Sequence, residues 1–288
     1  MTDKTKRIFA AFAAAALALV ATPTSPAVAQ PRGNVVVFGD SFTANPDQYK
    51  NTFRRIFRTS SERVIGDYPN TGNCLQSPDN WPRQLARMTG RQVADWSCAG
   101  LNSSQLPARV ERAIQDGAVN PGTETVVLSL GFNDYWPGAV VVSGTGYDQG
   151  RVQAHYVSRV RESVGKVRAV APNARILMVG MLSISESFGG QSVCPFNVIP
   201  NMPVGVPLAP LQTWENWTRD NQRAASKAVG ARFIDIKEQS KYHSTCARKD
   251  AERWVAGFVD TTTPAYNMVF HPSRAGSRHV ATQVARAI

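Results

Sequence analysis

The apolar residues Val35-Val36-Val37-Phe38 run straight into Gly39-Asp40-Ser41-Phe42. A short, uninterrupted apolar run predicts a strand buried on both faces, as in a parallel sheet covered by helices. The glycine permits a tight turn, and the serine falls just past the strand end. Open α/β sheets bind ligands in the crevice beyond the carboxyl ends of their strands. The stretch therefore delivers a hydroxyl to the place where such a fold performs chemistry. The plainer alternative is that Asp40-Ser41 only caps the next helix, since both residue types are good N-caps.

The rest of the chain repeats the pattern. Further strands are predicted near 92–96, 125–130, 174–182 and 231–236. Helices are predicted over 45–58, 80–88, 102–115, 151–170, 211–229 and 273–288. The longest carries Val152, Tyr156, Val160, Val164 and Val167 on one apolar stripe. Strands alternating with helices predict an α/β chain with a central parallel sheet. Residues 138–150 read as a glycine- and valine-rich loop. Residues 183–210 contain Pro195, Pro200, Pro203, Pro207 and Pro210, and the segment is too long and proline-rich for an ordinary connection. Polar turns at 39–41, 97–100 and 131–134 each follow a strand, so they are expected to converge on one edge of the sheet.

The N-terminus reads differently. Lys4, Lys6 and Arg7 precede an apolar run from Ile8 to Ala21, and Ala27-Val28-Ala29 matches a small-x-small cleavage site. These are the marks of a secretory signal peptide over residues 1–29, leaving 30–288 as a single domain. The run is too short and alanine-rich for a membrane anchor. Export, to the medium or the cell envelope, makes Cys74, Cys98, Cys194 and Cys246 candidates for disulfides. Pairing sequence neighbours closes the shorter loops and favours Cys74–Cys98 with Cys194–Cys246. No C-x-x-C motif points to zinc or redox chemistry.

Net charge is +11, and the leader's three basic residues and one aspartate leave +9 on the remainder. The arginines are scattered over several helices without interleaved aromatics, which argues against nucleic acid. The charge reads as solvated helix faces, with peripheral association with anionic envelope lipid as a further expectation. A monomer is expected.

Serine hydrolysis needs a nucleophile, a base and donors for the oxyanion. Ser41 is the candidate nucleophile. Of the four histidines, His155 and His279 fall within helices, and His243 carries no local cue. His271, in Phe270-His271-Pro272, sits in a proline-fixed loop just before the last helix. That placement suits a base at a pocket edge, although an ordinary loop histidine would read the same way. Gly100 can present an unshielded backbone N–H, and Asn133 a side-chain amide. The alternative for Asn133 is a turn residue bonding its own backbone.

Together these residues resemble the four blocks of the SGNH (GDSL) hydrolases. The blocks are Gly39-Asp40-Ser41-Phe42, Gly100, Gly131-Phe132-Asn133-Asp134 and His271-Pro272, in that order. The export signal and paired cysteines look most like the secreted bacterial esterase/lipase branch. The resemblance implies a three-layer α/β/α, flavodoxin-like fold with Ser41 as nucleophile and His271 as base. It implies an oxyanion hole from the Ser41 and Gly100 N–H groups and the Asn133 amide, and neither metal nor organic cofactor. One departure stands out. The family's usual aspartate three residues before the histidine is Met268 here. A Ser41–His271 dyad with the Met268 carbonyl orienting the imidazole is expected, and Asp260 is the alternative third member.

The expected substrate is a small-molecule or lipid ester, with fatty acyl esters favoured. The apolar 183–210 segment, Trp136 and Val140 to Val142 are expected to line an acyl groove or form a lid. Phe42, Trp136 and Phe196 are the substrate-binding candidates. The competing readings are a stapled loop over ordinary core, a carbohydrate O-acetylesterase of the same fold, or a non-catalytic envelope-binding protein.

Overall fold

The computed structural model describes residues 33–57, 65–186 and 191–288. The expected leader lies outside these residues, as do Arg58 and Phe188. Five strands form the central sheet: β1 (Val35–Gly39), β2 (Val93–Asp95), β3 (Thr125–Ser129), β4 (Arg175–Val179) and β5 (Arg232–Ile234). All pairings are parallel, and the spatial order is β2-β1-β3-β4-β5. This is the flavodoxin-like order, whose switch point lies where β1 meets β3. The α/β/α architecture expected from the sequence is therefore the observed one.

The strands are buried on both faces because their side chains alternate between two cores. Val36, Phe38, Val126, Leu128, Ile176 and Met178 pack into one. Val35, Val37, Val127, Leu177 and Val179 pack into the other. Helices α4 (Leu106–Gln115), α5 (Gln149–Val170) and α6 (Ala209–Val229) cover the first face. Helices α3 (Trp81–Thr89) and α7 (Arg274–Ala285) cover the second. Two helices follow β1 directly, α1 (Ser41–Ala44) and α2 (Gln48–Ile56).

Two sequence expectations change in detail. The expected loop at 138–150 begins with a helix, Pro137–Val142. Proline supplies a preset φ for the first turn, and Val140 anchors the helix in the core while Val141 and Val142 face solvent. The 183–210 segment is not irregular throughout. Ser192–Asn197 and Val204–Pro207 pair antiparallel, and Val259–Asp260 adds a parallel third strand.

Cys74–Cys98 and Cys194–Cys246 are the disulfides, the pairing that loop length favours. The first ties the hairpin at 70–75 to the end of β2. Arg109 reinforces that link by donating to the carbonyls of Thr71 (2.8 Å), Gly72 (2.6 Å) and Trp96 (3.0 Å).

Candidate active site

Ser41 is the first residue of α1, immediately beyond β1. Asp40 is the N-cap, and its carboxylate accepts from the Phe42 N–H at 2.9 Å. The capping reading of this stretch is thus correct for Asp40, and it leaves Ser41 at the first helical position. An N–H in the first helical turn has no intrahelical acceptor, so the Ser41 amide is available to a ligand. The turn is tight enough to demand glycine before it. A Cβ at Gly39 would lie 2.3 Å from the Thr43 hydroxyl.

Backbone contacts draw the other blocks to this turn. The Cys98 N–H donates to the Gly39 carbonyl at 2.8 Å, which places the 97–100 turn beside Ser41. Gly100 is exposed with φ of +88°, a left-handed conformation that glycine adopts freely. Asn133, in the short helix Phe132–Tyr135 after β3, donates its side-chain amide to the Leu101 carbonyl at 3.0 Å. One amide hydrogen is used there, and the second is free to serve a ligand. The turn-residue alternative for Asn133 is thereby replaced by a contact that links the second and third blocks.

The histidine segment docks on the nucleophile turn. The Asn45 side chain donates to the Pro272 carbonyl at 2.8 Å. The Phe42 and His271 rings pack at 4.9 Å between centroids. Gln48 of α2 grips the same loop, donating its N–H to the Asn267 carbonyl (3.2 Å) and accepting from the Val269 N–H (3.0 Å). Phe270, just before the histidine, has φ of +57°, a strained conformation for an aromatic residue.

His271 Nδ1 lies 2.7 Å from the Val269 carbonyl oxygen. This corrects the expectation for Met268: the contacting carbonyl is one residue nearer the histidine. A carbonyl only accepts, so the contact assigns the proton to Nδ1 and leaves Nε2 with its lone pair. Nε2 is buried and makes no hydrogen bond among the described residues. Burial disfavours the imidazolium and lowers the His271 pKa to about 4, against an opposing pull from the Val269 carbonyl. Asp260, the alternative third member, is committed elsewhere. Its carboxylate accepts from the N–H groups of Gly257 (2.7 Å) and Thr263 (2.8 Å), the Thr263 hydroxyl (2.7 Å) and the Asn197 amide (3.1 Å).

The substrate-binding candidates separate. Phe42 is nearly buried, and its visible role is to support the His271 ring, not to present a free surface. Trp136 and Phe196 are exposed. Phe196 pairs in register with Val259 and Val204, both exposed, and Phe258 stacks on Phe270 at 6.1 Å. Sequence reasoning missed two buried carboxylates behind the site. Burial raises the pKa of both Asp40 and Asp134, and the charge of Asp134 raises Asp40 further. Asp134 accepts from the N–H and hydroxyl of Ser103.

The chain is 25% identical over 281 residues to Lipase 2 of Streptomyces coelicolor, an overlap covering 89% of this chain and 86% of that protein. Its fold is similar to that of phospholipase A1 from Streptomyces albidoflavus, with a TM-score of 0.56 at 16% identity, covering 89% of this chain and 98% of that one. It is also similar to an extracellular lipase from Streptomyces rimosus, with a TM-score of 0.55 at 16% identity, covering 88% and 98%. The GDSL-like lipase/acylhydrolase family model matches residues 37–279, so the chain belongs to that family and is a carboxylic ester hydrolase.

Proposed function

We propose that this enzyme is an exported serine esterase acting on lipid esters, with Ser41 as nucleophile and His271 as general base. The observation that carries the reading is the state of His271. Its Nδ1 is held by the Val269 carbonyl, its Nε2 is unpartnered, and its ring packs on the residue after Ser41.

In the proposed mechanism Nε2 takes the Ser41 proton as the hydroxyl attacks the ester carbonyl. The Ser41 and Gly100 N–H groups and the free Asn133 amide hydrogen stabilise the oxyanion. The imidazolium, held by Val269, gives the proton to the departing alcohol. Water then enters, activated by the same nitrogen, and releases the acid from the acyl-serine. No step calls for a metal or organic cofactor.

A lipid ester is favoured because exposed apolar residues lead to the site. Val204, Phe196 and Val259 are cross-strand neighbours on the small sheet, and Phe258, just before Val259 in the chain, stacks on Phe270, the neighbour of His271. Contiguous exposed apolar surface marks a binding site more often than chance. Export is supported by the cleavable leader over 1–29, the two disulfides and the extracellular origin of the S. rimosus lipase.

The test is hydrolysis of p-nitrophenyl esters from acetyl to palmitoyl, with Ser41→Ala beside the native protein and a fluorophosphonate probe as label. Activity that rises with chain length and vanishes in Ser41→Ala is expected. Activity confined to acetyl and butyryl would favour the O-acetylesterase. Absence of both turnover and Ser41-dependent labelling would leave a binding protein.

A further inference from the structure

A cleft of about 810 Å³ opens at Gly100 and is lined on one side by Asn51, Arg54 and Arg55 of α2. Asn73, Gln105, the Cys74–Cys98 disulfide and the apolar Leu75, Ala99 and Leu101 line the remainder. Its volume is in the range of small-molecule sites. Its chemistry is unlike that of an acyl groove. Two arginines, two asparagines and a glutamine are among the residues that line it, and none of its lining residues is acidic. Arg54 is half-buried and Arg55 exposed, and neither pairs with a carboxylate among the described residues.

The arginines are fixed relative to the reacting groups. Helix α2 starts at Gln48, which holds Val269, the residue whose carbonyl orients His271. Arg54 follows about 9 Å further along the helix axis. On the other side of the cleft stands Gly100, a proposed oxyanion donor. A molecule whose ester carbonyl reaches Gly100 would thus project its remaining groups toward Arg54 and Arg55.

We propose that this cleft binds a phosphate group of the substrate, so that the preferred ester is a phosphate-bearing glycerolipid rather than a neutral one. The inference rests on the esterase reading for the ester's position. The choice of phosphate rests on the arginines themselves. A planar guanidinium matches two phosphate oxygens at once, and the amides supply the neutral donors that complete such a site. The apolar strip at Phe196 and Phe258 takes the acyl chain, and the basic cleft takes the other end of the same molecule.

Binding separates the two readings because it requires no turnover. Ser41→Ala protein is titrated calorimetrically with dihexanoyl phosphatidic acid, dihexanoylglycerol and inorganic phosphate. Phosphatidic acid is expected to bind at least tenfold more tightly than dihexanoylglycerol, and the preference should shrink as salt rises. Adding Arg54→Gln and Arg55→Gln should erase the preference, and Arg54→Lys with Arg55→Lys should restore part of it. Equal binding of the two lipids, or a preference that survives the glutamines, overturns the proposal. Inorganic phosphate binding as tightly as phosphatidic acid also overturns it, because the cleft would then take free phosphate and not a substrate group. The native chain is then assayed on both lipids. Arginine-dependent binding without Ser41-dependent turnover would support the cleft and refute the esterase reading alone.

Discussion

Nδ1 of His271 lies 2.7 Å from the carbonyl oxygen of Val269, two residues earlier on the same strained loop. In the proposed mechanism a main-chain oxygen thus takes the place of the carboxylate that orients the base in a triad. A neutral acceptor fixes the tautomer but stabilises the imidazolium less than an anion would. The expected consequence is that no carboxylate is essential for orientation. Asp260→Asn should leave kcat within about tenfold when normalised to fluorophosphonate-labelled sites. It should lower stability by about 1–3 kcal/mol, because the asparagine cannot satisfy the donors of Gly257, Thr263 and Asn197 together. Loss of kcat by orders of magnitude at full labelling would return Asp260 to the triad.

The same environment sets the pH profile. As the proposed base, His271 must be neutral to accept the serine proton, and burial lowers its pKa from 6.5 to about 4. The acid limb of kcat/KM is therefore expected near the lower value, with activity retained through mildly acidic pH. Its share of folding stability is present above the unfolded pKa and lost as pH falls through the folded one. Asp40 and Asp134 run the other way. Their raised values favour the fold at low pH, and that contribution is lost as pH rises through about 7 for Asp40 and about 6 for Asp134. A melting curve mixes these opposing signs, so the rate of fluorophosphonate labelling against pH is the cleaner measurement. An acid limb near 6.5 would show that the histidine is not desolvated.

Asn133 tests the oxyanion hole. One of its amide hydrogens is spent on Leu101 at 3.0 Å, and in the proposed mechanism the other serves the oxyanion. Asn133→Ala is expected to cost ~10²–10³ in kcat with little change in KM, as for a donor used chiefly in the transition state. Asn133→Asp, which keeps the shape but removes both donors, should fall as far. A loss confined to KM would instead make Asn133 a ground-state contact.

Much of the framework was readable because its signals are local. The run at 35–38 is apolar throughout and that at 125–130 is broken only by Thr125 and Ser129, and a strand buried on both faces needs little else. Gly39, Gly100 and Asn133 could be singled out because turn chemistry is written in neighbouring residues. The orienting carbonyl was misplaced by one residue, since every residue carries a carbonyl and only φ at Phe270 decides which one faces His271. The cleft at Arg54 and Arg55 depends on a helix and two turns brought together from positions 51–105. No periodicity records that. The helix at 137–142 was obscured by glycine and β-branched residues, which lower helix propensity where packing of Val140 overrides it.

Glu215 shows what holds the 183–185 segment at the end of β4. It is fully buried on α6 and accepts from the Ile184 N–H at 2.5 Å and from the Ser185 N–H and hydroxyl. Lys237 Nζ stands 3.6 Å away, itself buried. Burial raises the Glu215 pKa, and the lysine offsets this by stabilising the charged form. Glu215→Ala strips the acceptor from three donors and leaves a buried ammonium uncompensated, so a loss of about 3–5 kcal/mol is expected. Glu215→Gln with Lys237→Met removes both charges while keeping much of the volume, and should recover most of that loss. Urea denaturation of the single and double variants measures the coupling. If Glu215→Ala costs under about 1 kcal/mol, water reaches the pair, and Glu215 is not what fastens the segment to α6.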